Sequence, residues 1–100
     1  MQLIHPEKLE LTTVLGTVSG NTNRVMGMCA EILVKPATET TQYDISLTDE
    51  SGIVVFELTS EVGTLANIVF LPLHEVYTVK IDNATANEKF IIKLMIRESQ

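Results

Sequence analysis

The sequence has no tryptophan, one cysteine and only seven lysines and arginines in its 100 residues. Each shortage removes a class of function. A single cysteine, Cys29, leaves no intrachain disulfide. It sits in an apolar run, which predicts an inert buried thiol. The seven basic residues are scattered singly from Lys8 to Arg97. They offer no cluster to neutralise phosphates, so nucleic acid is not expected as a partner. No apolar run reaches the ~18 residues of a membrane-spanning helix, and no membrane partner is expected. The opening MQLIHPEKLE lacks a basic n-region and an apolar h-region, which predicts no signal peptide and synthesis in a cytoplasm. Sugar-binding sandwiches present exposed aromatic platforms, and this chain has no tryptophan to supply one. Its two tyrosines, Tyr43 and Tyr77, run in phase with apolar neighbours and are expected in the core.

What is present is 45% apolar and carried by valine, isoleucine, leucine and threonine, with aromatics at only 5%. β-Branched residues favour pleated surfaces. The net charge of −6 suits a β-rich surface that must stay soluble. The strongest local signal is Gln42 to Leu58. Tyr43, Ile45 and Leu47 alternate with Asp44, Ser46 and Thr48, as a half-buried strand does. Asp49-Glu50-Ser51-Gly52 then reads as a hairpin turn with positive φ at Gly52. Ile53-Val54-Val55-Phe56 follows as a continuous apolar strand, expected to be buried on both faces. Val76 to Arg97 reads as a second unit of the same kind.

The remaining strands are expected over Leu9 to Val18, Arg24 to Lys35 and Leu65 to Leu71, the last stopped by Pro72. Ser19 to Asn23 reads as a turn, and Thr59 to Thr64 as a loop. About seven short strands separated by turn signals predict an all-β fold. The expected fold is a single antiparallel β-sandwich, immunoglobulin-like or jelly-roll-like. Residues 1–8 are expected to form an N-terminal arm ahead of a sandwich over residues 9–100. Tyr43, Ile45, Phe56, Val79, Phe90, Ile92 and Leu94 are the expected core.

Catalytic chemistry finds little support. His5 in the arm and His74 in a turn are the histidines available to Cys29, and no spacing joins them. No enzyme and no cofactor are expected. Asp49-Glu50-Ser51-Gly52 lacks the 12-residue spacing and terminal glutamate of a calcium loop. It needs no metal as a turn. Leu3, Ile4, Met26, Met28, Ile91 and Met95 are more apolar residues than a seven-strand monomer hides with ease. They are the candidate interface, in the manner of exposed apolar patches generally.

The run from Tyr43 to Arg97 (YDISLTDESGIVVFEL, then GTLANIVFLPLHEVYTVKID, then NATANEKFIIKLMIR) covers about half the chain. In style it resembles the small β-sandwich structural proteins of tailed bacteriophages, the capsid decoration or cement proteins and head or tail accessory proteins. The resemblance rests on short length, Val/Ile/Thr-rich strands and acidic charge. It carries no site motif, so no residue role is transferred. It implies a virion component, made in the host cytoplasm. Such a component binds other virion proteins, foremost the major capsid protein, and assembles as a homo-oligomer. The alternative implied by the same style is a carbohydrate- or receptor-binding module of a tail or fibre.

Overall fold

A computed structural model describes residues 3–98 of the chain, with side chains over 4–97. Eight strands are present: β1 (Leu3–Thr12), β2 (Val18–Asn21), β3 (Gly27–Pro36), β4 (Gln42–Thr48), β5 (Val54–Val62), β6 (Leu65–Leu73), β7 (Thr78–Asp82) and β8 (Lys89–Glu98). They form two four-stranded antiparallel sheets, ordered β1-β8-β3-β6 and β2-β7-β4-β5. Only β4 and β5 are both consecutive and paired; every other connection crosses between sheets. That order is a jelly roll, two interlocked Greek keys. It selects one of the two sandwich topologies that the patterning left open.

The core lies between the sheets. Tyr43, Ile45 and Leu47 of β4, Val79 and Ile81 of β7, and Phe90, Ile92, Leu94 and Ile96 of β8 are fully buried. Tyr43 meets Phe90 edge-on, with ring centroids 5.1 Å apart. The Tyr43 hydroxyl donates to the Gly63 carbonyl at 2.7 Å, which satisfies the one polar atom the ring brings inside. Phe56, expected among these residues, is half-buried and packs on their flank.

Several sequence expectations are corrected. Residues 3–8 are not an arm. They form the first half of β1 and pair with β8 from Leu3↔Glu98 onward. Pro6 is tolerated because β1 is an edge strand with one hydrogen-bonding side free. The single strand expected over Leu9 to Val18 is broken by a tight turn. Leu15 and Gly16 have φ of 55° and 84°, and Val14 and Thr17 bridge across them. The Ser19-Gly20-Asn21 turn signal instead lies in β2. Val76 to Arg97 is not a second hairpin, because β7 and β8 belong to different sheets.

Ile53, in the turn before β5, and Val54, its first residue, are both exposed; β5 is an edge strand and not a doubly buried one. The loop expected from Thr59 is also strand: β5 runs on to Val62 past a register shift, where the Asp44 carboxylate accepts the Ser60 amide at 2.8 Å. β6 passes through Pro72 to Leu73. In β3 a register shift between Cys29 and Glu31 changes the phase of the strand. Cys29 therefore shares the buried face with Ile32 and Val34, which strict alternation would forbid.

Candidate interaction face

The clusters with chemical potential are already engaged in holding the fold. At the β4–β5 turn, Asp49 Oδ1 accepts the amides of Ser51 and Ile53, both at 2.9 Å. The carboxylate thus builds the turn, as an aspartate does without any ion. Glu50 accepts the Val76 amide at 2.9 Å and lies 3.3 Å from the Arg24 guanidinium. Glu75 returns the bond by accepting the Glu50 amide at 2.7 Å. These reciprocal bonds tie two loops together.

Glu88 is the one buried carboxylate among the described residues. It accepts the Thr38 amide at 2.7 Å and the Thr41 hydroxyl at 3.2 Å. Cys29 is buried, and that burial pushes its thiol above the usual range, away from the nucleophilic thiolate. Among the described residues no three His, Cys, Asp or Glu side chains converge on a metal position.

The outer face of the β1-β8-β3-β6 sheet is different, because its side chains are not engaged in this way. Pairing places Ile4, Pro6, Lys8 and Glu10 of β1 beside Arg97, Met95, Lys93 and Ile91 of β8. The same register sets Met28, Glu31, Leu33 and Lys35 of β3 on the other side of those residues. Ala66, Ile68, Phe70 and Pro72 of β6 are exposed beyond them. Phe70 is 82% exposed, Ile68 77% and Ile4 57%. With Ala30, Met95 and Arg97 they line a shallow depression of about 320 Å³. A second depression, of about 280 Å³, adjoins Lys8, Leu33, Lys35, Ile91 and Lys93.

Charge is segregated. Five of the seven basic residues (Lys8, Lys35, Lys89, Lys93 and Arg97) occupy this face, against Glu10 and Glu31. Lys89 and then Lys8 pair with Glu10, at 2.8 and 3.1 Å, and hold its carboxyl below the usual range. Among the described residues Lys93 and Arg97 carry no ion pair. The outer face of the other sheet is polar and acidic, with Asp44, Ser46, Glu57 and Asp82 around Lys80. There the Asp44 carboxyl is held below the usual range by the Ser60 amide and then by the Asn83 side chain.

Four of the six interface candidates fall near one another on the basic face: Ile4, Met28, Ile91 and Met95. Ile4 is exposed and the other three are half-buried. Met26 is 63% exposed in the connection before β3. The Leu3 side chain lies outside the described residues. Ile68 and Phe70 escaped the sequence reading, although they are the most exposed apolar residues of the face. The available signal was Pro72, which marks β6 as an edge strand and so leaves its outer side chains bare.

No family model matches the sequence, and no curated protein matches it. Among solved structures, the Yersinia pseudotuberculosis-derived mitogen is similar, with a TM-score of 0.54 at 10% identity over 100% of this chain and 91% of that one. A dimeric latent PorU from Porphyromonas gingivalis has a TM-score of 0.47 at 8% identity, over 96% of this chain but only 13% of that one. At these identities the likeness to the mitogen is one of fold, and it is a β-sandwich.

Proposed function

We propose that this chain is a non-catalytic structural protein that works by seating its β1-β8-β3-β6 outer face on other protein subunits. In the setting its sequence resembles, it is a capsid decoration protein of a tailed bacteriophage, a virion component bound to the major capsid protein. The observation that carries the reading is the apolar patch of Ile4, Ile68, Phe70 and Met95 beside Lys93 and Arg97, which carry no ion pair among the described residues. An apolar centre with a charged rim is the usual anatomy of a protein interface. The charge sign asks for an acidic surface opposite it, which steers the encounter. Both tyrosines are buried, so the aromatic stacking on which a glycan site relies would fall to Phe70 alone among the exposed rings.

The test is cosedimentation with purified capsids beside a glycan array. Phe70→Glu is expected to lower occupancy about tenfold or more, as a central anchor does. Lys93→Glu is expected to weaken binding chiefly at low salt. Capsid binding that ignores both substitutions overturns the use of this face. Glycan binding without capsid binding replaces the reading with the tail-module alternative.

A further inference from the structure

The sandwich has four edge strands, and three of them are defended. β1 carries Pro6, Glu7, Lys8 and Glu10 along its length. β2 is only 4 residues long. β5 carries Glu57 and Glu61, and its ladder to β4 shifts register twice. Proline, charge, shortness and bulges are the devices that stop an open edge from pairing with another chain. β6 has two of them, Pro72 near its end and a register shift that sets Val69 and Phe70 opposite Ala30, and it lacks charge and shortness. It is 9 residues long, LANIVFLPL, without a charged side chain. Its ladder to β3 is irregular opposite Ala30, yet exposed and less exposed side chains alternate without a break from Leu65 to Leu73.

The same side of the sandwich is incompletely closed. Most of the partly buried apolar residues flanking the core lie on these two edges: Val55, Phe56 and Leu58 on β5, and Leu65, Val69 and Leu71 on β6. The β1–β2 side, by contrast, is shut, with Leu11 against Gly20.

We infer that the free edge of β6 pairs antiparallel with β6 of a second copy of this chain, joining two four-stranded sheets into one. Two features single out a second copy as the occupant. First, each chain carries −6, so two copies repel except where the contact strip is uncharged, and β6 is such a strip. Second, an isologous contact must be self-complementary, and β6 is. A two-fold axis at Ile68 sets Ile68 against its own copy and the small Ala66 against the large Phe70. On the other face it sets Leu65 against Leu71. Pro72, which has no amide to donate, falls outside that seven-residue ladder. Main-chain bonds then supply affinity and the alternate side chains supply register. The joined sheet doubles the apolar patch on one surface. An edge of this length is at or below the small end of the ~1,200–2,000 Å² buried by stable complexes, so the dimer is reversible and concentration-dependent.

The measurement is molar mass in solution across a concentration series. The expected result is a rise from 11.1 kDa toward twice that mass. Ile68→Lys and Ile68→Glu, each placing like charges directly opposite across the axis, are each expected to stay monomeric. Because Ile68 is exposed, both variants are expected to fold, which circular dichroism checks. Mixed in equal amounts they are expected to restore the dimer, since across the axis residue 68 of one chain meets residue 68 of the other, while its partner within the chain, Glu31 of β3, is the same in both variants. Ile68→Cys is expected to form an intermolecular disulfide on mild oxidation, as directly opposed positions lie within bridging distance. A wild type that stays monomeric throughout, a variant dimer that persists, or a mixture that fails to recover overturns the inference. A monomer that nevertheless loads onto capsids through β6 means the edge takes another protein's strand. That outcome overturns self-pairing and leaves the proposed function standing. A dimer that ignores capsids does the reverse.

Discussion

Phe90 and Tyr43 show how much one side chain can carry here. Both are fully buried and touch edge-on. Phe90→Ala is expected to cost about 3–5 kcal/mol, from lost transfer energy and the cavity left behind. A denaturation series showing under about 1 kcal/mol would place the ring at the surface. Tyr43 adds a pH signature. Burial first, and the Glu61 and Glu39 carboxylates after it, push its phenol from the usual 10 up to about 12. An unfolded chain releases that proton near 10 while the folded chain holds it to about 12. The stabilisation is therefore complete below the lower value and is lost as pH climbs to the higher one. Tyr43→Phe is expected to flatten that part of the stability–pH curve. Two glycines separate conformational strain from collision. Gly52 has φ of 84° with open space around it, so Gly52→Ala is expected to cost about 1 kcal/mol. Gly16 has the same φ, but an added Cβ would run into the Ala84 carbonyl. Gly16→Ala is expected to cost clearly more, and the order of the two denaturation midpoints is the check.

At the scale of elements, the β4–β5 hairpin was legible from Gln42 to Phe56 because both of its strands and its turn are encoded locally. The first half of β1 was not, because Pro6 with the charges Glu7 and Lys8 reads as a terminal arm until β8 is placed beside it. The two readings predict different outcomes for removal of residues 1–6. A free arm would leave stability unchanged. A paired edge loses the ladder from Leu3 to Pro6, so the midpoint of thermal unfolding is expected to fall. Glu88 ties three elements at one end. Its carboxylate holds the Thr38–Thr41 segment, and its amide donates to the Thr13 hydroxyl at 2.9 Å. Glu88→Ala is expected to cost about 1.5–3 kcal/mol, the range for a hydrogen bond to a charged group. Chemical denaturation measures the loss. Amide exchange at Thr38, which is expected to quicken, locates it.

At the scale of the molecule, the sandwich is two faces of opposite character with a core between. Acidic and polar residues surround Lys80 on the outer face of β2-β7-β4-β5, with Val54 and Val62 exposed along its β5 edge, while basic and apolar ones cover β1-β8-β3-β6. Interspersed along the chain, the seven basic residues look featureless. Folding brings five of them to one surface, because strands far apart in sequence are neighbours in a jelly roll. What the sequence determined by itself is the class of fold and most of the core. Period-two alternation of β-branched and aromatic residues specifies which face of each strand turns inward, and that is local information. It also set the positive φ at Gly52, since turn geometry depends on a few adjacent residues. Tertiary structure decided the rest. Alternation is silent on which strands pair, so the jelly-roll order, the split of β7 and β8 between sheets and the edge status of β5 emerged only from the assembled sandwich. The shift at Cys29–Glu31 reversed the phase of β3, since a bulge is defined by its partner strand. The interaction face follows from these same decisions: Ile68 and Phe70 escaped the sequence reading, and they are bare because β6 has a neighbour on one side only.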